Sequence, residues 1–425
     1  MAKYLFLSDS PIIPTGFRNQ SFLLAERLVE DNNEVFWIAP SHIGMPIKNA
    51  TLPDGRVCKF TILPGGRHPH ALDVITQRIA EVKPDLFYCL LDSFMLFPDI
   101  LSINMSVPNT MWNPFKSALW FPSDGGYFPD QCELVLKKFD HPISMSKWGQ
   151  TQTKKSFNMN IEYIPHGIKT NMFYPLSEPK KVELRKKYGA ITGYNLQNKF
   201  VIGCVARNQP RKFMDRLIKT IAAFSKFAKH RNDVLLLLHT DPDDIAQAFS
   251  LKKLIQRYGI ENKIAWTGMT AVQGFTDEKM NEVYNLFDVK LDTTSGEGFG
   301  ITIIESMSCE VPVIITDYTT TKEIVTDNNA GLPIKLLGET ERLFDGKAES
   351  EITNQIVGGW GVERGVCDIW HAVEQLQKCY YDWKDNQSKW LKEMGQNGRK
   401  AVLRDYDFDA CVYPQWKKVF KRMLE

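Results

Sequence analysis

The chain has 425 residues, and its 52 lysines and arginines nearly balance its 50 aspartates and glutamates, for a formal net charge of +2. This balance argues against nucleic acid as the main partner. A hydrophobic fraction of 43% with 24% charged residues is ordinary for a soluble globular protein. At this length, two domains are expected rather than one core.

The cysteines and the first residues indicate the compartment. The eight cysteines occur singly, without a C-x-x-C pair, as is typical of buried thiols in a reducing environment. The apolar run at residues 4–7 is too short for a signal peptide or a membrane span, and no positively charged leader precedes it. We therefore expect a cytoplasmic location, and peripheral contact with a membrane surface stays open.

Short apolar runs alternate with helical patterns over the first 165 residues. A helix is predicted over residues 19–30. Strands are predicted at 3–8, 34–39, 57–63, 86–90, 118–121, 142–145 and 162–164. This β-α-β alternation indicates a parallel sheet with helices on both faces.

A break at residues 167–198, interpreted as a linker with one short helix, precedes a second alternation. Strands are predicted there at 200–205, 234–239, 263–266, 289–292 and 311–316, and helices at 366–381, 387–405 and 411–424. The predicted fold is α/β, with two doubly wound Rossmann-like domains facing across a cleft and a C-terminal helical tail. The predicted N-terminal domain, on the acceptor side, comprises residues 1–175 and a crossing helix at about 407–425. The predicted C-terminal domain, which binds the nucleotide-sugar, comprises residues 176–406. Ligands bind at the carboxyl ends of such strands, so we expect the site in the cleft.

The most informative stretch is EGFGITIIE at residues 297–305, which follows one predicted strand and precedes another. A Gly-Phe-Gly turn leads into a helix, and a helix N-terminus favours phosphate. Glycine also lets the backbone approach a diphosphate closely. With Glu297 before the helix and Glu305 inside it, the arrangement suits a diphosphate with sugars at both ends, namely a nucleotide-sugar. The alternative is a strand, turn and surface helix with two incidental glutamates.

Two basic residues follow the first strand of the second domain. Arg207 leaves the strand end, and Lys212 lies where the next helix is expected. A planar guanidinium and a compact ammonium suit a diphosphate, and fixed cations neutralise the charge that grows on it as it leaves. Exposed basic residues in a loop that also contains Arg211 are the alternative.

Two residues of the first domain are weaker candidates. Gly16, in the loop between the first strand and helix, is small enough to let a backbone amide approach a phosphate. Asp124 follows a buried strand and precedes two glycines, where a carboxylate can orient an acceptor hydroxyl or take its proton. An ordinary loop and an Asx turn are the respective alternatives. We interpret His166 as part of a structural turn before the linker, and contact with a ligand is the alternative.

No metal site is expected. Asp241 and Asp243 form a D-x-D pair, but they open a predicted helix, where acidic residues usually act as caps. His68 and His70 flank Pro69 without a third ligand nearby, which argues against zinc.

Taken together, these residues resemble the retaining glycosyltransferases of family four, which have the two-domain GT-B fold. The likeness covers about residues 160–335 and rests on Ile164-Pro-His-Gly, Arg207, Lys212, Glu297, Glu305 with Pro-Val-Ile after it, Glu323-Ile-Val and Ala330-Gly-Leu. Departures are Ala206 in place of a glycine, Ser308-Cys-Glu310 in place of Ala-x-Gly, and Phe17-Arg18 after Gly16.

The resemblance implies roles for the candidates. Glu305 would bind the ribose, Glu297 the transferred sugar, and backbone amides with the basic pair the diphosphate. The donor-binding set is Gly16, Arg207, Lys212, Gly298, Phe299, Gly300, Ile301, Thr302 and Glu305. The catalytic set is Glu297, Asp124, Arg207 and Lys212. Residues 267–272 would contact the base.

The expected activity is transfer of a sugar from a nucleotide diphosphate-sugar, UDP- or GDP-linked, to a hydroxyl acceptor with retention and without a metal or other cofactor. The acceptor stays open among a lipid, a glycan, a protein and a modified base. The alternatives are a sugar-nucleotide epimerase of the same shape and a non-catalytic nucleotide-sugar-binding protein.

Overall fold

The computed structural model describes the chain except for residues 14, 41, 53–54, 97–114, 127, 228–231, 245–246, 271–273, 340, 343–347, 351–354 and 359–361. It divides into two compact units. The first comprises Met1–Ser123, Phe128–Gly167 and Phe408–Glu425, and the second comprises Asp124–Tyr127 and Ile168–Asp407. The division after Gly167 falls earlier than the sequence-based boundary at residue 175, because Ile168 already pairs with Asp407 in a parallel bridge of the second unit.

The first unit is built on one sheet. Its strands are β1 Lys3–Leu7, β2 Glu34–Ala39, β3 Ile47–Lys48, β4 Thr61–Pro64, β5 Leu86–Leu90, β6 Lys116–Phe121, β7 His141–Ser144 and β8 Glu162–Tyr163, in the order β3-β4-β2-β1-β5-β6-β7-β8. Only β3 is antiparallel to its neighbour. Its helices are α1 Gly16–Glu30, α2 Ile75–Val82, α3 Asp130–Leu136 and α4 Lys147–Phe157, and the C-terminal helix returns to this unit.

The strand predicted at residues 57–63 is shifted in the structure. Val57 forms only an isolated bridge with Thr51, and β4 begins at Thr61. The reason is that the Cys58 amide donates back to the Ala50 carbonyl, so this stretch closes a loop before the chain joins the sheet.

The second unit contains a fully parallel sheet. Its strands are β9 Phe200–Val205, β10 Val234–His239, β11 Ile264–Trp266, β12 Val289–Asp292, β13 Val313–Thr316 and β14 Gly331–Ile334, in the order β11-β10-β9-β12-β13-β14. The helices that accompany it are α5 Glu178–Thr192, α6 Met214–Phe227, α7 Leu251–Tyr258, α8 Asp277–Tyr284 and α9 Ile301–Ser308. One buried apolar cluster spans β9, β10, β12 and the helices packed on them.

Helices close the chain: α10 Ile369–Asp385, α11 Lys389–Asp405 and α12 Tyr413–Leu424. The last belongs to the first unit, where the Trp416 ring meets the Trp120 ring at 5.1 Å and the Arg27 guanidinium binds the Asp409 carboxylate at 2.6 Å. A buried amphipathic face, rather than propensity alone, fixes such a terminal helix.

Besides β3 and β14, the sequence analysis missed the strands between β14 and α10. They are β15 Leu336–Glu339, β16 Glu341–Arg342, β17 Ala348–Ser350, β18 Gln355–Gly358 and β19 Gly365–Cys367, all in antiparallel pairs. The helix predicted from residue 366 begins at Ile369 instead, because the Asp368 carboxylate caps it by accepting the Trp370 amide at 2.8 Å.

In the part of the chain that the structure describes, no helix combines the length and the apolar character needed to cross a bilayer. All eight cysteines are free thiols, and every one except Cys411 is buried. Burial raises the pKa of the Cys89 and Cys204 thiols, so they stay protonated.

Candidate functional site

The topology of the second sheet positions the site. From β9 the chain moves outward to β10 and β11 and then returns to β12 on the other side of β9. At such a reversal the loops after the two central strands diverge and leave a crevice at the carboxyl edge of the sheet. Lys212 follows β9 and Glu297 follows β12, so the strongest candidates from the sequence come from the two strands that border this crevice.

Backbone hydrogen bonds join the two loops. The Arg211 carbonyl, in a short turn at Pro210–Lys212, accepts the Ser295 amide at 2.7 Å and the Ser295 hydroxyl at 2.9 Å. The Glu297 amide donates to the Thr319 hydroxyl oxygen at 3.0 Å. Glu297 is therefore held on both sides by loops that follow neighbouring strands.

The Glu297 carboxylate lies between two cations. Lys212 Nζ contacts one carboxylate oxygen, and Arg211 Nη1 lies 3.0 Å from the other. Burial alone would raise the pKa of this carboxyl, but the charges of Lys212 and Arg211 outweigh it and hold the pKa well below its usual range. Burial and Arg211 lower the pKa of Lys212, whereas Glu297 opposes the change. With its pKa held low, the Glu297 carboxylate is ionised at neutral pH.

The Gly-Phe-Gly turn brings the chain into α9. Gly300 adopts φ +97° immediately before the helix, a conformation that favours glycine. The Phe299 side chain is buried, and its carbonyl accepts the Thr320 hydroxyl at 3.0 Å. Gly298, Ile301 and Thr302 are half-buried around the first turn. The predicted donor-binding residues Gly298 to Thr302 thus lie at the N-terminus of a helix, where backbone N–H groups carry partial positive charge.

Glu305 lies one turn further along α9 and has different surroundings. Its carboxyl accepts the Tyr284 hydroxyl at 2.6 Å. The side chain keeps some solvent contact, but protein atoms enclose it enough that desolvation raises its pKa to about 8, and Asp277 adds to the rise. The two glutamates therefore differ in charge state at neutral pH, since Glu297 is ionised and Glu305 is mostly protonated.

Asp124 makes its contacts inside the second unit. Its carboxylate lies 2.8 Å from Arg364 Nη1 and 3.9 Å from Arg211 Nε, and its backbone carbonyl accepts Arg364 Nη1 at 2.6 Å. Gly296, at φ +154°, leaves room for that carbonyl, because a Cβ there would lie 2.1 Å from the Asp124 oxygen. The structure thus brings Asp124 to the loop that carries Glu297.

Arg207 binds a different carboxylate. Its guanidinium binds the Asp244 carboxylate at 2.9 Å and remains about half exposed. The basic residue that accompanies Lys212 on Glu297 is Arg211.

Two candidates belong to the first unit. Gly16 is exposed at the first position of α1, and the preceding Thr15 caps that helix by accepting the Arg18 amide at 3.1 Å. His166 is buried edge-on against the Trp120 ring at 4.4 Å, and burial lowers its pKa to about 3. These surroundings describe a core side chain, in agreement with the structural role expected for His166.

The carboxylates of the D-x-D pair have local partners. Asp243 binds Lys252 at 2.6 Å, and the Asp241 carboxylate accepts the Asp243 amide at 2.9 Å. Across the described residues, no group of three or more histidine, cysteine or acidic side chains is arranged to hold a metal ion. Of the region expected to contact the base, residues 271 and 272 lie outside the described residues.

Sequence reasoning missed three side chains of this site: Arg211, Tyr284 and Arg364. Arg211 was visible as a neighbour of Lys212, and its position next to a predicted phosphate ligand was the available signal. Tyr284 ends α8 and Arg364 follows β18. Both meet their partners through tertiary packing, and no spacing in the sequence indicates it.

Part of the chain is similar in sequence to known glycosyl transferases. Residues 193–336 match the family model described as Glycosyl transferases group 1. The chain is 27% identical over 162 residues to the mannosylfructose-phosphate synthase of Agrobacterium fabrum, which covers 37% of this chain and 32% of that protein. It is 28% identical over 194 residues to the lipopolysaccharide core mannosyltransferase LpsB of Rhizobium meliloti, which covers 46% of this chain and 50% of that protein. The matches thus span about a third to a half of these relatives.

Solved structures match along the whole chain. Sucrose-phosphate synthase from Thermosynechococcus elongatus superposes with a TM-score of 0.71 at 15% identity, covering 100% of this chain and 99% of that one. Anabaena HepE, solved in complex with UDP-glucose, superposes with a TM-score of 0.67 at 16% identity, covering 99% and 100%. These likenesses show the GT-B fold, and the predicted fold class is confirmed. The chain therefore has the GT-B fold, and its residues 193–336 are similar to the group 1 glycosyl transferases.

Proposed function

We propose that this protein is a glycosyltransferase that moves a hexosyl group from a nucleotide diphosphate-sugar to a hydroxyl acceptor. In the reaction, the bond between the anomeric carbon and the diphosphate oxygen breaks, and a bond from that carbon to the acceptor oxygen forms. The acceptor proton passes to the departing diphosphate. The products are the glycoside and a nucleoside diphosphate.

One observation carries the proposal: Glu297 is ionised between Lys212 and Arg211 at the carboxyl edge of a doubly wound sheet, beside the N-terminus of α9. Two cations and a helix N-terminus complement the negative charge that develops on a diphosphate leaving group. When a donor binds, the cations turn to phosphate oxygens, and the freed carboxylate accepts hydroxyl groups of the sugar.

The other candidates complete the donor set. Glu305 accepts a ribose hydroxyl, and the backbone amides from Gly298 to Thr302 bind phosphate. Arg207 supplies a further cation. To do so, its guanidinium must leave the Asp244 carboxylate and bind a phosphate oxygen. Gly16 stays a prediction from the sequence, and Asp124 is proposed to orient the acceptor.

Retention of the anomeric configuration and independence from metal belong to the proposal. With cationic side chains at the leaving group, the acceptor can attack from the same face as the departing diphosphate, whose oxygen takes the proton. The supports are the resemblance to retaining enzymes and the charges of Arg211 and Lys212, which can neutralise a diphosphate without a metal.

A panel of donors tests the proposal. The full chain is assayed by thermal shift with UDP, GDP, UDP-glucose and GDP-mannose in buffer that contains EDTA, because a ligand that binds the native state raises the melting temperature. The donor that binds is then incubated with hydroxyl acceptors, and NMR of the product reports the anomeric configuration.

Three results would contradict the proposal. Conversion of the donor without an acceptor indicates an epimerase, and saturable binding without turnover across acceptors indicates a binding protein. A requirement for a divalent metal contradicts the metal-independent mechanism.

The cytoplasmic location is part of the proposal too, and fractionation of cells that express the full chain tests it.

A further inference from the structure

Beyond the matched glycosyl transferase domain, which ends at residue 336, the chain adds strands β15–β19 before α10. The described parts of this added segment, residues 337–368, lie against the site. Its strand β18 contacts the Pro210–Lys212 turn. The Gly365 amide donates to the Ser295 carbonyl at 2.8 Å, and the Glu363 carbonyl accepts the Gly126 amide at 3.2 Å.

These contacts place Arg364 beside Asp124 and close to the loop that carries Glu297. Its neighbour Gly365 is bound to the Glu297 loop through Ser295, and Ser295 is itself bound to the Arg211 carbonyl. The Arg364 side chain is 8% exposed. Backbone hydrogen bonds of its two neighbours thus hold the Arg364 backbone, and its Nη1 contacts both the backbone carbonyl and the carboxylate of Asp124.

The distances divide the charges into pairs. Arg364 Nη1 meets the Asp124 carboxylate at 2.8 Å, and Arg211 Nη1 meets the Glu297 carboxylate at 3.0 Å, both hydrogen-bonding distances. Arg211 lies 3.9 Å from Asp124, beyond a hydrogen bond. Arg364 therefore forms the ion pair with Asp124, and Arg211 forms the ion pair with Glu297.

We propose that Arg364 is a positioning residue that reserves Arg211 for Glu297 and for the diphosphate of the donor. Without the Arg364 charge, the Asp124 carboxylate draws Arg211 across a gap that a small side-chain movement closes. Arg211 then leaves Glu297 and is no longer placed for phosphate. The added segment thereby tunes a site that the matched domain alone does not complete, and this inference rests on the proposed function.

The first test measures donor affinity by titration calorimetry with the nucleoside diphosphate that the wild type binds. Arg364→Gln is expected to raise Kd about tenfold. Arg364→Gln combined with Asp124→Asn is expected to return Kd to within about threefold of the wild type, because no carboxylate then competes for Arg211. Arg364→Lys is expected to lie between the wild type and Arg364→Gln, since lysine keeps the charge and loses the fork.

A matched control comes from the same unit. Arg185 is partly buried and binds Asp288 at 2.8 Å away from the site. Arg185→Gln is expected to lower the melting temperature and leave Kd unchanged. An unchanged Kd in Arg364→Gln overturns the proposal, and so does a double variant that binds as weakly as Arg364→Gln, because Arg364 then acts without Asp124.

A second test needs no ligand. The coupling between Arg211 and Glu297 is measured as the non-additivity of melting temperatures among Arg211→Gln, Glu297→Gln and the double variant, in the wild-type and Arg364→Gln backgrounds. The coupling is expected to fall to near zero in the second background, and equal coupling in both overturns the inference. If the wild type binds no nucleotide while the coupling falls, the proposed function fails and the role of Arg364 in placing Arg211 stands.

Discussion

The Tyr284 hydroxyl donates to the Glu305 carboxyl at 2.6 Å and joins α8 to α9 below the site. Burial raises the pKa of Tyr284 well above its usual value, and the nearby Glu305 adds to the rise, so the phenol remains a donor at any physiological pH. The ring is held edge-on by Phe173 at 6.1 Å and Phe287 at 6.0 Å. Glu305 thus has a rigid partner that sets where its carboxyl points.

Removal of that hydroxyl should weaken donor binding. In Tyr284→Phe the ring packing is kept and one hydrogen bond is lost, which is worth about 0.5–1.5 kcal/mol. We expect Kd for the nucleoside diphosphate to rise about three- to tenfold in titration calorimetry. Tyr188→Phe, which removes a hydroxyl bound to Glu282 at 3.1 Å, is the matched control and should leave Kd unchanged. Equal affinities for Tyr284→Phe and the wild type would show that the hydroxyl does not position Glu305.

The pKa of Glu305 gives a pH dependence of stability. The folded-state pKa of about 8 exceeds the ordinary glutamate pKa of 4.5. Between these values the folded state holds a proton that the unfolded state has lost, so stability falls as pH rises from about 4.5 through about 8. The difference between the two pKa values limits the change in the free energy of unfolding to roughly 5 kcal/mol.

Glu305→Gln should remove this dependence, because the amide is neutral throughout. The melting temperature of the variant minus that of the wild type, measured by calorimetry at pH 5, 6, 7 and 8, is expected to increase steadily with pH. Parallel profiles of the two proteins would mean that Glu305 ionises normally in the folded state.

Charge stabilisation of the leaving group predicts the effect of losing Lys212. Lys212→Ala should lower kcat/KM for donor turnover on the order of a hundredfold, the scale of one lost charge-stabilising contact. Glu305→Ala should lower it comparably. The measurement is release of nucleoside diphosphate in the presence of acceptor. Lys252→Ala, which removes an exposed partner of Asp243, is the control and should retain wild-type turnover. Wild-type rates in Lys212→Ala would refute the site.

Close packing at Gly296 predicts a structural penalty. A Cβ at this position would lie 2.1 Å from the Asp124 backbone oxygen, so one of the two segments must move. Gly296→Ala should destabilise the protein by about 2–3 kcal/mol and weaken donor binding. Gly259→Ala is the control, since Gly259 has φ +62° and open space around it, and only the backbone cost of about 1 kcal/mol applies. Calorimetric melting temperatures that fall equally in both variants would contradict the close approach.

How far the sequence predicts this site is clear from its two central strands. Phe200–Val205 is an almost continuous apolar run, whereas Val289–Asp292 alternates apolar and charged residues. The ends of these two strands place Lys212 and Glu297 at one edge of a parallel sheet. The strands between β14 and α10 were not predicted, since short antiparallel pairs carry too little periodicity.

The amino-acid order by itself determined the two α/β units, the helix that begins after Gly300 and the loops that carry Lys212 and Glu297, because apolar periodicity and turn residues act over a few neighbouring positions. Only the tertiary structure decided that Arg211 rather than Arg207 accompanies Lys212, and that Asp124 meets Arg364, 240 positions further along the chain. Contacts of that kind depend on how loops from separate strands pack together, and long-range packing leaves no repeating pattern in the sequence.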